Sequence, residues 1–166
     1  MPHTKSIPYA RRLPVRAEVE VLVAGGGPAG VAAAVTAARQ GRVVHILEAH
    51  SCFGGMGTAG LVPAFMQFTD GVHFLAGGIG KEILDELQRR EGTYPHDGTG
   101  IRAEVLKRVY DDMVSDAGVD FTFHAHVVDV LWEERGTVST VVCAGKTGLF
   151  AVKRKRSWIA PVMATC

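Results

Sequence analysis

Three glycines, Gly25, Gly27 and Gly30, stand in the spacing G-x-G-x-x-G after an apolar run and before an alanine-rich one. In that setting the first glycine permits a tight turn, the second lets a pyrophosphate approach the backbone, and the third lets a helix pack closely on a strand. The helix N-terminus at Pro28 and Ala29 favours an anion through its N–H groups and its dipole. The motif therefore predicts a phosphate site for a dinucleotide.

An acidic residue follows at the distance expected for ribose binding. Glu48 stands 18 residues after Gly30, at the end of the second predicted strand. A carboxylate at this position accepts hydrogen bonds from a ribose diol, and it would repel a 2′-phosphate. The sequence thus favours FAD or NAD over NADP.

The elements that must position these residues form a predicted strand–helix–strand unit. Residues 19–24 are mostly apolar or small, as in a strand that is buried on both faces of a parallel sheet. Residues 31–40 are rich in alanine and end at Gly41, which suits a slim helix, and residues 43–48 form the second strand. The motif glycines therefore have the context that dinucleotide binding requires.

A second glycine-rich segment spans residues 53–63 and contains Gly54 and Gly55. Apolar residues are interleaved with its glycines, which indicates backbone that runs close to a ligand. A mobile surface loop is the alternative.

The rest of the chain predicts two amphipathic helices and several short strands. The helices cover residues 79–91 and 103–117, and Gly118 ends the second one. The strand at 119–124 is expected to lie beside the first strand, as the third parallel one. Runs at 127–132, 138–143 and 149–152 predict an antiparallel meander. Residues 1–17 are expected to be a leader, 18–152 a nucleotide-binding domain, and 153–166 an atypical tail.

Bulk properties exclude several classes of protein. The 166-residue chain has a formal net charge of +1, which gives no reason to expect nucleic acid or an anionic membrane as a partner. No apolar run approaches the ~20 residues that span a bilayer, and no secretory h-region precedes the first strand. Three cysteines without a C-x-x-C spacing argue against a disulfide framework or a metal site and fit the reducing cytoplasm.

The order of these parts resembles the FAD-dependent oxidoreductases of the glutathione-reductase-like fold. The resemblance covers residues 18–152 and is carried by both glycine motifs, by the helix and strand at 104–119, and by residues 127–130. It implies an α/β fold, a Rossmann-like FAD/NAD(P)-binding domain with a parallel sheet, a loop–helix insertion and a β-meander.

The resemblance also implies site residues and a cofactor, which is FAD. Gly54 and Gly55 would lie along the cofactor, and Val128 would present its backbone to the adenine. With the residues of the first motif and its acid, the predicted cofactor-binding set is Gly25, Gly27, Pro28, Ala29, Gly30, Glu48, Gly54, Gly55 and Val128.

The resemblance implies oxidation or reduction of a small molecule with FAD, and the sequence identifies no catalytic residue. Two alternatives stay open, an NAD-binding dehydrogenase domain and a non-catalytic nucleotide-binding remnant. The sequence does not determine the oligomeric state.

Four further side chains are candidates for the site. His124 and His126 are expected on one strand face, where two ligands are too few for a metal site. His73 lies in a loop that could reach a flavin or a substrate. Cys52 has no nearby second cysteine for dithiol chemistry and is expected to pack near the cofactor.

The tail, residues 153–166, reads neither as a strand nor as the motif that such flavoproteins carry there. One permitted back-translation of residues 161–166 is CCG GTG ATG GCG ACC TGT, and reading it from the third base gives Gly-Asp-Gly-Asp-Leu, which looks like that motif. The hypothesis is that the reading frame slips near Arg154, which would make the chain a truncated family member. Resequencing the gene tests it, and an intact frame without such codons would refute it.

Overall fold

The computed structural model describes residues 5–66, 68–94, 100–133 and 136–159, with only the backbone at 154 and 156–159. Its elements follow in the order β1 (Val15–Ala24), α1 (Pro28–Arg39), β2 (Val44–Leu47), a 3-10 turn (Gly55–Gly57), α2 (Ile79–Arg89), α3 (Ala103–Asp116), β3 (Asp120–Thr122), β4 (His126–Trp132), β5 (Val138–Gly145) and β6 (Gly148–Ile159).

The strands form one six-stranded sheet in the order β3-β2-β1-β6-β5-β4. Strands β3, β2, β1 and β6 run parallel, and β4, β5 and β6 form an antiparallel meander. The predicted α/β fold with a parallel sheet, a loop–helix insertion and a meander is confirmed.

The predicted place of the third strand is wrong. Strand β3 pairs with β2, with Ile46 opposite Phe121, and not with β1. The other edge of β1 is taken by β6, which begins at Gly148 as the last strand of the meander. The alternation of helix and strand in the sequence showed that β3 is parallel but did not show which strand it would join.

Strand β6 extends further than predicted. It was expected to end at residue 152, but it continues to Ile159, so the prediction that residues 153–159 form no strand is wrong. Backbone groups make the ladder, and for this reason a run of charged side chains does not prevent pairing with β1. Residues 160–166, which carry the rest of the frame-slip hypothesis, lie outside the described residues.

Strand β1 begins earlier than predicted. Its first residue is Val15, which pairs with Ala151 of β6. Residues 15–17, which were assigned to the leader, therefore belong to the sheet.

Both faces of the sheet are buried at β2 and at the second half of β1. Val21 and Val23 of β1 pack on one side with α1, α2 and α3, where Leu106 and Tyr110 of α3 are fully buried. On the other side Leu22 packs with residues of the meander. Successive residues of a strand point to opposite faces, so both faces are covered in the second half of β1, whereas its first half alternates between charged and apolar residues.

The helices begin and end close to the predicted positions. Pro28 occupies the first turn of α1, where its missing N–H removes no helical hydrogen bond. Gly118, with φ of +68°, follows α3 and takes the left-handed conformation that ends a helix. Among the described residues, no helix combines the length and the apolar character that crossing a bilayer would need.

Candidate functional site

A groove of about 380 Å³ lies where β1 and β2 end. Open α/β sheets bind ligands at the carboxyl ends of their strands, so this is the expected place for a cofactor. The groove brings together six of the nine predicted site residues, which are Gly25, Gly27, Pro28, Ala29, Glu48 and Gly55.

Two glycines of the first turn are required by the fold itself. Gly25 has a φ of +107°, which residues with a side chain rarely adopt. A Cβ at Gly30 would overlap the carbonyl oxygen of Gly25, so the start of α1 can approach β1 only without a side chain there. Gly30 thus has the packing role expected of it, and it does not line the groove.

Gly27 differs from both of these glycines. It lies on the groove, its φ of −67° is ordinary, and no described heavy atom lies within 4 Å of the position that a Cβ would take. The protein itself therefore does not require a glycine at this position. The space over Gly27 fits a bound group that approaches the backbone closely, as a pyrophosphate does.

The N-terminus of α1 opens onto the same space. Gly27 is its N-cap, no described side chain caps the helix, and its first turn holds no acidic residue. The first helical hydrogen bond is donated by the N–H of Val31 to the carbonyl oxygen of Gly27 at 2.9 Å. Ala29 and Gly30 come before it, so their N–H groups have no acceptor within the helix. The N–H groups that a helix leaves unbonded at this end, together with its dipole, suit an anion.

Glu48 joins the first turn to the end of β2. Its side chain is 7% exposed; Oε2 accepts a hydrogen bond from the N–H of Gly26 at 2.6 Å, and Oε1 accepts one from the N–H of His50 at 2.7 Å. His50 Nδ1 lies 3.0 Å from the same Oε1. Each carboxylate oxygen has two lone pairs, so Oε2 can still accept a ribose hydroxyl.

Sequence reasoning missed Gly26 and His50. A Cβ at Gly26 would lie 2.6 Å from Cδ1 of Phe53, so this glycine makes room for the ring that follows β2. The sequence signal for Gly26 was the run of three consecutive glycines at 25–27. No pattern indicated His50.

The second glycine turn contacts the first one. Gly54, with φ of +101°, donates its N–H to the carbonyl oxygen of Gly26 at 2.8 Å. A Cβ at Gly55 would lie 3.2 Å from Cα of Gly27. Gly55 lines the groove, whereas Gly54 lies behind it. The two glycine motifs therefore form one continuous surface.

The meander supplies the third side of the groove, through Ala125, His126 and Val127. Ala125 donates its N–H to the carbonyl oxygen of Glu48 at 3.0 Å, which fixes this corner to β2. Val128 is 53% exposed and does not line the groove, although the pairing of β4 with β5 is irregular beside it. Its contact with adenine stays a prediction.

The other candidates lie apart from one another. His124, with φ of +53°, lies in the turn before β4, whereas His126 lies in β4, so the expected shared strand face is wrong. His73 is exposed beside Asp70, with 3.3 Å between its Nδ1 and Oδ2. Cys52 is half-buried, and its Sγ lies 3.9 Å from Oγ1 of Thr58. Within the described ranges, no three metal-ligating side chains come together.

Comparison with solved structures shows the fold. THI4 from Thermovibrio ammonificans is 22% identical with a TM-score of 0.58, and the alignment covers 83% of this chain and 55% of that one. The 3-ketosteroid-delta4-(5alpha)-dehydrogenase from Rhodococcus jostii RHA1 is 18% identical with a TM-score of 0.57, over 87% of this chain and 46% of that one. This chain therefore spans about half the length of these proteins.

Sequence comparison shows the family. No curated protein sequence matches this chain significantly. Residues 20–156 match the family described as FAD dependent oxidoreductase. This match covers both glycine turns, Glu48 and the meander, and it identifies FAD as the cofactor. The chain belongs to the FAD dependent oxidoreductase family.

Proposed function

We propose that this chain holds FAD in the groove between β1, β2 and the meander. The observation that carries the proposal is the open space over Gly27, which lies at the uncapped N-terminus of α1 and beside the buried carboxylate of Glu48. A dinucleotide needs these two features together, an anion site and a ribose acceptor.

Each predicted residue has a role in this proposal. Gly25 and Gly30 shape the turn, and Gly27, Pro28 and Ala29 face the pyrophosphate. Glu48 accepts the hydroxyl groups of the adenosine ribose.

The remaining residues extend the site at both ends. Gly55 lies along the cofactor beyond the pyrophosphate, and Gly54 holds Gly55 against the first turn. The adenine lies at the meander, where Val127 faces the groove and Val128 offers its backbone.

Bound FAD supplies electron and hydride transfer, and the protein supplies binding and orientation. The substrate in this proposal is a small molecule, and the compartment is the cytoplasm. The formal net charge of +1 gives no reason to expect nucleic acid as a partner.

A second candidate is a chain that holds FAD but does not turn over substrate by itself. It is favoured by the share of the solved structures that this chain spans, 55% of one and 46% of another. In this case the residues that face the substrate would lie in the part of those proteins that this chain does not match.

The test is to purify the chain, record its flavin absorbance, and identify any released cofactor by mass spectrometry. We expect FAD, with titration giving a dissociation constant for FAD far below that for NAD. A colourless protein that does not bind added FAD would refute the proposal. Substrate turnover by the FAD-loaded chain would refute the second candidate.

The matched variants are Gly27→Val and Gly77→Val. Both glycines have no described heavy atom within 4 Å of a built Cβ and neither has a positive φ, but only Gly27 lies on the groove. Gly27→Val should fold and lose FAD binding, whereas Gly77→Val should bind FAD as the wild type does. Equal affinity in both variants would show that the first turn is not the phosphate site.

A further inference from the structure

Tyr110 lies behind the second glycine turn. It belongs to α3, and its side chain is fully buried in the core on the helical side of the sheet. A Cβ at Gly54 would lie 2.8 Å from Cε2 of Tyr110, the ring carbon next to the one that bears the hydroxyl. The polar end of the ring therefore reaches the turn.

The hydroxyl of Tyr110 has no hydrogen-bond partner. Among the described residues, this oxygen is the one buried side-chain oxygen or nitrogen that has no hydrogen-bond partner. Burial raises the pKa of this phenol far above its ordinary value, so the hydroxyl keeps its proton and remains a donor. A buried donor without an acceptor destabilises the state in which it occurs.

An acceptor lies on the same side of Gly54. Oγ1 of Thr58 would be 2.8 Å from the same built Cβ, and Thr58 is fully buried. This hydroxyl gives its own proton to the carbonyl oxygen of Phe53 at 2.6 Å, which leaves its lone pairs as acceptors. Tyr110 and Thr58 thus both lie against the position that a Cβ at Gly54 would take.

We propose that Tyr110 is a positioning residue for the second glycine turn, because the ring edge beside its unpartnered hydroxyl and Oγ1 of Thr58 both lie against Gly54. When FAD binds along Gly55, the second glycine turn shifts so that the Tyr110 hydroxyl donates to Oγ1 of Thr58. Without FAD the hydroxyl stays unpartnered. This inference rests on the proposed function.

The proposal predicts opposite effects of one substitution on two measured quantities. Tyr110→Phe removes a donor that has no partner in the FAD-free protein, so the melting temperature without FAD should stay the same or rise. The same substitution removes a bond that forms on binding, so the dissociation constant for FAD should increase about tenfold. A purely structural role would lower the melting temperature instead.

The control variant is Tyr94→Phe, at a tyrosine that is 48% exposed. It should match the wild type in both melting temperature and FAD affinity, each measured by calorimetry. Hydrogen exchange gives a second reading, because the amides of residues 54–58 should exchange faster in FAD-bound Tyr110→Phe than in FAD-bound wild type.

Three other outcomes would refute the inference about Tyr110, and one of them would also refute the proposed function. A wild-type chain that does not bind FAD refutes both the proposed function and this inference. A wild type that binds FAD no better than Tyr110→Phe refutes the inference alone. A Tyr110→Phe protein that melts lower without FAD, or does not fold, also refutes the inference, because the hydroxyl would then have a partner before FAD binds.

Discussion

Glu48 has a role within the protein that its spacing in the sequence did not indicate. Its spacing from Gly30 predicted a ribose acceptor, but the structure shows that its oxygens also hold the N–H groups of Gly26 and His50. The acid therefore shapes the first glycine turn through contacts within the protein. Sequence spacing reports the ligand contact of such a residue but not its contacts within the protein, because those depend on how the turn folds back onto β2.

At this scale we predict the effect of Glu48→Gln. The amide of glutamine replaces one oxygen with a donor, so one of the two backbone N–H groups loses its acceptor. A buried N–H left unbonded costs about 1–3 kcal/mol, and the free energy of unfolding should fall by about that amount in urea denaturation. The affinity for FAD should fall as well.

The control for Glu48→Gln is Glu20→Gln. Oε2 of Glu20 accepts the N–H of Val43 at 2.9 Å, but this bond is exposed to water and distant from the groove. We expect little change in stability or FAD affinity for this variant. Equal losses in both variants would contradict a special role for Glu48.

At the scale of the element, periodicity and turn residues predicted the helices well. Apolar spacing located α2 and α3, and Gly41 and Gly118 marked helix ends, because these signals depend on neighbours along the chain. The place of β3 and the length of β6 depend on partners far along the chain. Val127 lines the groove and Val128 does not, and the predicted contact of the Val128 backbone with adenine stays a prediction.

The length of β6 gives a second prediction, which compares two shortened chains. A chain that ends at Val152 loses the pairs of Glu18 with Lys153 and of Val19 with Arg154, and the edge of β1 is left open beyond Ala17. Its melting temperature should fall below that of a chain that ends at Ile159. The same melting temperature for both chains would show that residues 153–159 add nothing to the sheet.

The contact between β2 and β3 gives a third prediction, which concerns pH. His45 is 7% exposed, and its Nε2 lies 2.9 Å from Oγ1 of Thr122. Burial lowers the pKa of His45 below its ordinary value of 6.5, although the charge of Asp120 opposes this shift. The unfolded chain then binds a proton more readily than the folded protein, so stability present above pH 6.5 is lost as the pH falls.

Urea denaturation at a series of pH values measures this loss. The wild type should become less stable below pH 6.5, and His45→Gln, which keeps a hydrogen-bonding side chain, should lose part of that dependence. Identical pH profiles for the two proteins would contradict the assignment to His45.

At the scale of the whole molecule, both glycine turns, Glu48 and the meander converge on one groove beside a single sheet. A ligand that binds only the folded state stabilises it by an amount set by its concentration relative to its dissociation constant. FAD at 100 times that constant adds about 2.7 kcal/mol, which raises the melting temperature of a chain of this size by roughly 5–10 °C.

Thermal unfolding with and without FAD measures this increase. Gly27→Val should show no increase, and Gly77→Val should show the full one. An increase of the same size in Gly27→Val would place FAD somewhere other than the groove.

Strand β6 pairs with β5 in the meander and then with β1 in the parallel sheet. Enzymes built from two bodies joined by a linker open around a ligand by rotating about that linker. Here the meander and the glycine turns on either side of the groove are joined by a hydrogen-bonded ladder, and a rotation between them would break it. We therefore expect FAD to leave the groove without a hinge motion, at a rate set by the strength of its contacts there.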